Sequence, residues 1–271
     1  MKNPFSEVPE KEIYKAIREH LAWHTVGISC GTESWGTGVP VKYKDKRLLL
    51  TAGHVLEGHE RSTIYFVARP DAELVSVPGE KAAKGSPLEK MKCQEALPVI
   101  KIQVIDVPVK DVGIILLDAA KADALRGLHF FNIDSLNRKA PLGEDVVALA
   151  GFAQQIASRT RTQNIVETRI RLYTEFPKMI DDPGNLINFD KSIHFLLRFP
   201  EEELAGGELL NDLHGISGCG VWKPIKNEPG KVWRINNHLI GLQIRVYESR
   251  IIKCTKIEVV LNELRKFLSA T

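Results

Sequence analysis

From Thr25 onward this chain is built of short apolar runs, each stopped by Gly, Pro or Asn, and that pattern leaves little room for helices. Runs of this length bounded by turn residues read as strands, whereas a helix needs a longer stretch of 3.6-residue periodicity. Val26–Cys30, Gly38–Tyr43, Arg47–Thr51, Thr63–Ala68, Ile100–Val104 and Gly113–Leu117 form a first set of candidate strands. Asp145–Phe152, Ile165–Tyr173, Ser192–Phe199, Gly220–Pro224, Val232–Ile235, Leu239–Tyr247 and Arg250–Lys256 form a second, with a hairpin turn expected at Asn227-Glu228-Pro229-Gly230. Residues 78–98 carry Pro, Gly, Lys and Glu without periodicity and read as a long surface loop, and 119–136 reads as a connector with some helical character. Helical spacing occurs only at the two ends. Ile13, Ala16, Ile17 and Leu21 share one face of a helix over 8–22, and Val260, Leu261, Leu264 and Leu268 share one face over 257–268. Closed antiparallel barrels remove exposed sheet edges, so two barrels with a crevice between them suit this strand count.

Length and composition bound the function classes. With 271 residues, 44% hydrophobic and 26% charged, the chain can build a sizeable core and is ordinary for a globular protein. A net charge of +3 is too small to argue for nucleic acid or an acidic membrane surface. The longest apolar runs, Val112–Leu117 and Val146–Ala153, are too short to span a bilayer. The N-terminal residues lack a secretory pattern, and Cys30, Cys93, Cys219 and Cys254 show neither CxxC nor zinc-ligand spacing. Reduced thiols in a cytoplasmic protein, with no metal and no cofactor, are the expectation.

Three local motifs carry chemistry. Thr51-Ala52-Gly53-His54 closes one strand-like run, Asp111 opens the apolar run Val112–Leu117, and Gly215-Ile216-Ser217-Gly218 precedes another strand. A serine hydroxyl is a weak nucleophile until a histidine takes its proton and a carboxylate orients that histidine. Any isolated GxSG is more often a turn, and a lone histidine more often a satisfied core residue. Asp106 and Asp118 compete with Asp111, but neither heads an apolar strand in the same way, and His59 lies in a Glu/Gly-rich loop.

His, Asp and Ser in this order, each in its own signature, resemble the trypsin-like, chymotrypsin-fold serine proteases over about residues 22 to 255, in the style of bacterial intracellular members without a PDZ domain. The resemblance implies an all-β fold of two antiparallel six-stranded barrels with N- and C-terminal helices. It divides the chain into an N-terminal helix (1–24), a first barrel (25–125) with His54 and Asp111, a connector (126–144), a second barrel (145–256) with Ser217, and a C-terminal helix (257–271). It implies an endopeptidase with a Ser217–His54–Asp111 triad and an oxyanion hole made by the N–H groups of Gly215 and Ser217. The segment Leu239–Ile244 is similar to the substrate-pairing strand of the bacterial high-temperature-requirement proteases, so Leu242, Gln243 and Ile244 are substrate-binding candidates. Asn211, Asp212 and His214 would approach the specificity pocket; Asp212 would favour a basic residue there, and a one-residue shift would substitute Asn211.

Two departures stand out. Ile216 occupies the place where the animal digestive enzymes carry an aspartate that captures a new N-terminal amine, so activation by that route is not expected. Cys219 replaces a residue that is usually glycine. The partners expected are a protein or peptide substrate and an activating partner protein, with no nucleic acid and no membrane. An α/β-hydrolase is disfavoured, because its nucleophile elbow needs G-x-S-x-G and the order Ser, Asp, His. A protease-fold binding module with weak or partner-dependent activity is the other reading.

Overall fold

The computed structural model describes residues 10–30, 34–68, 95–125, 128–133, 147–152, 158–162, 165–169, 172–175, 177–181, 186, 188–199, 215–226, 235–247 and 250–270. Helix α1 (Glu10–Trp23) leads into β1 (Val26–Cys30), β2 (Ser34–Tyr43), β3 (Lys46–Ala52), the four-residue α2 (Gly53–Leu56), β4 (Ile64–Ala68), β5 (Glu95–Ala96), β6 (Val99–Ile105) and β7 (Val112–Leu117). After α3 (Ala119–Asp123) and β8 (Phe131–Asn132) come β9 (Ala148–Phe152), β10 (Ser158–Thr162), β11 (Ile165–Arg169), β12 (Leu172–Glu175), β13 (Lys178–Ile180) and β14 (His194–Arg198). The chain closes with β15 (Gly220–Lys226), β16 (Ile235–Val246), β17 (Ile251–Lys256) and α4 (Ile257–Ser269).

Six strands in the order β4-β1-β2-β3-β7-β6 curl into the first unit, with the two-residue β5 and β8 added at its margins. A second six, β12-β9-β15-β16-β17-β14, form the other, with the three-residue β13 on its edge. Every pairing within these sixes is antiparallel. The two-barrel, all-β architecture expected from the strand count is therefore present.

Three expected strands need correction. Ile165–Tyr173 is not one strand: β11 pairs with β10 in a separate hairpin, and β12 pairs with β9 in the second barrel. Of the expected strand Val232–Ile235 only Ile235 is described, the turn at 227–230 lies outside the described residues, and Ile235 is not separated from the expected strand Leu239–Tyr247. Asn236 and Asn237 lie inside the continuous β16, because the ladder with β15 runs on to Lys226↔Ile235 and outweighs the turn preference of Asn.

Burial explains why Leu48–Leu50 of β3 and Val112–Leu117 of β7 are apolar at successive positions. Side chains alternate faces along a strand, and here both faces meet a core. Leu49, Ile115 and Leu117 point into the first barrel with Ile28 and Ile64. Leu48, Leu50, Ile114 and Leu116 point the other way, into a core shared with Ala148, Trp222 and Leu242 of the second barrel. Both terminal helices seal that shared core, α1 through Ile17 and Leu21 and α4 through Val260, Leu261, Leu264 and Phe267. A third core, with Leu149, Leu197, Val221 and Ile252, fills the second barrel.

Candidate active site

His54 stands on α2 immediately after β3, and Asp111 at the end of the β6–β7 loop. Strands β3 and β7 pair with Ala52 opposite Val112, which puts the two residues side by side at one end of the first barrel. The Asp111 carboxylate accepts two hydrogen bonds from the same residue. Oδ1 takes the His54 backbone N–H at 2.8 Å and Oδ2 takes the ring Nδ1–H at 2.8 Å. With Nδ1 committed to the carboxylate, Nε2 is the ring atom left to act on a proton. Asp111 is buried while the His54 side chain is more than a third exposed, so the pair presents a reachable imidazole on a sheltered carboxylate. Gly53 permits this contact: a Cβ there would sit 2.7 Å from Val107 Cγ2 and 3.1 Å from Asp111 Oδ1.

Ser217 enters from the second barrel on a tight turn. The Ile216 carbonyl accepts the Cys219 N–H at 2.9 Å, and Gly218, third of the four residues, has φ +89°. That is the backbone of a type II turn, which calls for glycine at this position. The turn is fastened on both sides. Gly218 donates its N–H to the Gln243 carbonyl at 2.8 Å, and Gln243 donates back to the Cys219 carbonyl at 2.9 Å. Thr37 of β2 donates its N–H to the Ser217 carbonyl at 2.8 Å. A Cβ on Gly218 would meet Thr51 Oγ1 and the Thr37 carbonyl, while one on Gly36 would lie 2.7 Å or less from the Val55 methyls and 3.2 Å from the Ser217 carbonyl. The serine's backbone is thus seated on the strand ends that carry His54 and its neighbour Val55.

Thr37 is the residue that sequence reasoning missed. Its buried hydroxyl donates to the Gly215 carbonyl at 2.7 Å and accepts the Phe152 N–H at 2.9 Å, while its own carbonyl receives the Thr51 hydroxyl at 2.7 Å. The carbonyls of Gly215, Ile216 and Ser217 are consequently all turned into the protein. A trans peptide points its N–H opposite its carbonyl, so the Ser217 N–H faces away from the Ile216–Cys219 bond. Among the described residues no hydrogen bond uses the Gly215 or Ser217 N–H. The sequence signal for Thr37 is its place between Gly36 and Gly38.

Ile216 is fully buried in the second-barrel core beside Leu149 and Cys219. An apolar anchor therefore holds this loop where the resembled family uses an ion pair. Cys30, Cys219 and Cys254 are free and buried. Burial pushes all three thiols up, which withholds the thiolate that a cysteine nucleophile requires.

Of the substrate-binding candidates, Asn211, Asp212 and His214 lie outside the described residues. Leu242 is buried in the shared core and Ile244 against the first-barrel core, so neither side chain faces the turn bearing Ser217. Gln243 alternates between them. It is 1% exposed, and its carboxamide has no hydrogen-bond partner among the described residues. The β15–β16 ladder stops at Gly220↔Leu242, whereas β16 continues along β17 to Val246, past a bulge at Ile244. Beyond Gln243 the edge of β16 on the Ser217 side carries no strand among the described residues. No three His, Cys, Asp or Glu side chains there gather as a metal site, and no helix is long and apolar enough to cross a membrane.

No sequence-family model matches this chain, and no curated protein sequence matches it either. Solved structures do. Human heparin binding protein is similar at TM-score 0.56 and 10% identity, over 92% of each chain. The scabies mite inactivated protease paralogue S-D1 is similar at TM-score 0.55 and 11% identity, over 94% of each chain. The serine endoprotease from Yersinia pestis is similar at TM-score 0.51 and 13% identity, over 93% of this chain and 65% of that one. At such identities the likeness establishes the chymotrypsin-like double-barrel fold.

Proposed function

We propose that this chain is a serine endopeptidase, with Ser217 as nucleophile, His54 as general base and then acid, and Asp111 holding the imidazole. The observation that supports it most is the double contact of one buried carboxylate with the His54 ring and backbone, both at 2.8 Å, beside a serine-bearing turn. In the first step His54 Nε2 takes the Ser217 hydroxyl proton as Oγ attacks the peptide carbonyl, and the imidazolium forms against Asp111. The N–H groups of Gly215 and Ser217 stabilise the negative oxygen; a single such donor is worth about 10²–10³ in rate. Collapse expels the amine, which takes the proton from His54, and water then hydrolyses the acyl-enzyme by the same route. The edge of β16 beyond Gln243, which pairs with no strand among the described residues, suits an extended peptide, which would add to it as a strand. A protein or peptide is accordingly the substrate class proposed.

The test is reaction of the intact chain with a fluorophosphonate probe, alongside Ser217→Ala and His54→Ala. Labelling of the parent alone is expected. The protease-fold binding module is kept as a second reading, because a solved structure sharing this fold is named as an inactivated protease paralogue. A parent that neither labels nor cleaves casein favours that second reading, or a requirement for an activating partner.

A further inference from the structure

The loop that presents Asp111 is backbone-strained at both ends. Asp106 has φ +49° and Asp111 has φ +51°, the left-handed region that a non-glycine residue adopts at a cost and keeps where its surroundings over-determine it. Part of the restraint is internal, since Lys110 and Asp111 both donate their N–H to the Asp106 carbonyl at 2.9 and 3.1 Å. The first barrel contributes the Gly53 N–H, which binds the Asp111 carbonyl at 2.9 Å.

Beside an ion pair from Lys110 to Glu263 of α4 at 3.0 Å, further restraint comes from the second barrel. Three consecutive loop carbonyls each receive a side-chain donor from it. Thr255 Oγ1 donates to the Lys110 carbonyl at 2.6 Å, His194 Nε2 to the Val109 carbonyl at 2.7 Å, and Lys253 Nζ, at 3.5 Å, makes the longest of the three to the Pro108 carbonyl. The donors form one cluster: His194 pairs with Thr255 across β14 and β17, and Lys253 lies two residues along β17 on the same face. His194 is committed to this role by its tautomer, because its Nδ1 accepts the Asp190 N–H at 3.0 Å and the proton therefore resides on Nε2. Lys253 is 1% exposed and also donates to the Asn188 carbonyl at 3.2 Å. Burying an ammonium is costly unless carbonyls or charges compensate it.

The cluster bears on the candidate site because of what else β17 holds. Cys254 of β17 pairs with Gln243 of β16, and Gln243 is bonded by its backbone to Gly218 and Cys219. Three adjacent strands thus hold both parts: β14 and β17 grip the Asp111 loop with side chains, and β16 grips the Ser217 turn with backbone. We propose that His194, Lys253 and Thr255 are positioning residues, a clasp from the second barrel that sets Asp111, and through it the His54 ring, in register with Ser217. The catalytic consequence rests on the protease reading; the clasp itself does not.

The experiment pairs Thr255→Val and His194→Phe, which remove a donor, with Thr255→Ser and His194→Gln, which keep one. Exchange of the His54 and Gly53 amide protons, both held by Asp111, is followed by NMR, together with kcat and KM on a peptide ester. The donor-deleting variants are expected to exchange these two protons at least tenfold faster than β3 amides. They should lose tenfold or more in kcat with KM within about twofold, and the donor-keeping variants should recover both. Folded Thr255→Val and His194→Phe proteins with parental exchange at His54 and Gly53 overturn the clasp. If a variant does not fold, the unmodified chain decides: exchange of these two protons only through global unfolding is required, and faster local exchange overturns it. A parent without esterase activity but with variant-sensitive exchange keeps the clasp and places the failure with the protease reading, in favour of the binding module or a requirement for an activating partner.

Discussion

Asp111 does two jobs with one carboxylate, and its two oxygens predict what substitution does. Asp111→Asn keeps the size but offers an amide where an acceptor is needed, so it either loses the His54 backbone N–H or forces the wrong ring tautomer. By analogy with other triads the expected loss in kcat is about 10⁴, while Ser217→Ala and His54→Ala should fall to a common floor, since triad members act as a unit. Steady-state rates on a peptide ester check all three. Thr37 gives a subtler test. Thr37→Val preserves the branched shape but leaves the Gly215 carbonyl without its donor and the Phe152 N–H without its acceptor. Loss of oxyanion geometry should lower kcat by roughly 10–100-fold with KM little changed, less than the ~10²–10³ of deleting an oxyanion donor outright. Thr37→Ser should recover most of it; a Thr37→Val protein with parental kcat would show that the hydroxyl does not order the turn.

At the scale of elements, α1 is part of the folded body. Ile17 and Leu21 are fully buried in the core shared by the barrels. Burial of each such side chain contributes about 1.5–3 kcal/mol. Cleavage just before residue 25 should therefore lower the melting temperature markedly and should not raise activity. The new N-terminus would find no carboxylate at Ile216, which is itself buried among Leu149, Cys219 and Val221. Activity of intact protein, verified by mass, against that of the clipped form decides this; activation on clipping defeats it. The strands show the same two-sided logic. Leu48, Leu49 and Leu50 are all buried because β3 separates two cores, so substituting any one of them with Ala should cost about 2–5 kcal/mol.

Across the whole molecule, acid should be destabilising through histidines. Burial holds His20, His24, His194 and His238 below the usual imidazole range, and His24, near His20 and packed with Phe131 and Trp222, is lowered to about 4. A histidine with a depressed folded value contributes stability that is full above the unfolded value of 6.5 and is lost as pH falls through the folded one. Urea midpoints should accordingly decline between about pH 6.5 and 4. His24→Phe, which cannot titrate, should flatten that decline even if it lowers stability at neutral pH. An unchanged slope in that variant would remove His24 as the cause.

Local sequence determined more of the site than of its support. His54, Asp111 and Ser217 were legible as candidates because each has a telling neighbour: a glycine that lets a carboxylate approach, an apolar strand that buries it, a glycine that turns the backbone. The strands were legible because short apolar runs between turn residues have few other solutions. Only the tertiary structure decided that β16 runs through its asparagines, because a partner strand supplied the ladder. It alone decided that Leu49 faces one core while Leu48 and Leu50 face another. It also chose the polar residues that lock the site. Thr37 meets Gly215 across 178 residues, Thr255 meets Lys110 across 145, and His194 meets Val109 across 85. A hydroxyl or imidazole carries no local mark of a backbone carbonyl that far along the chain. Such a bond exists only once two barrels have folded and met, which is why the candidate site residues could be named from the sequence and the residues that hold them could not.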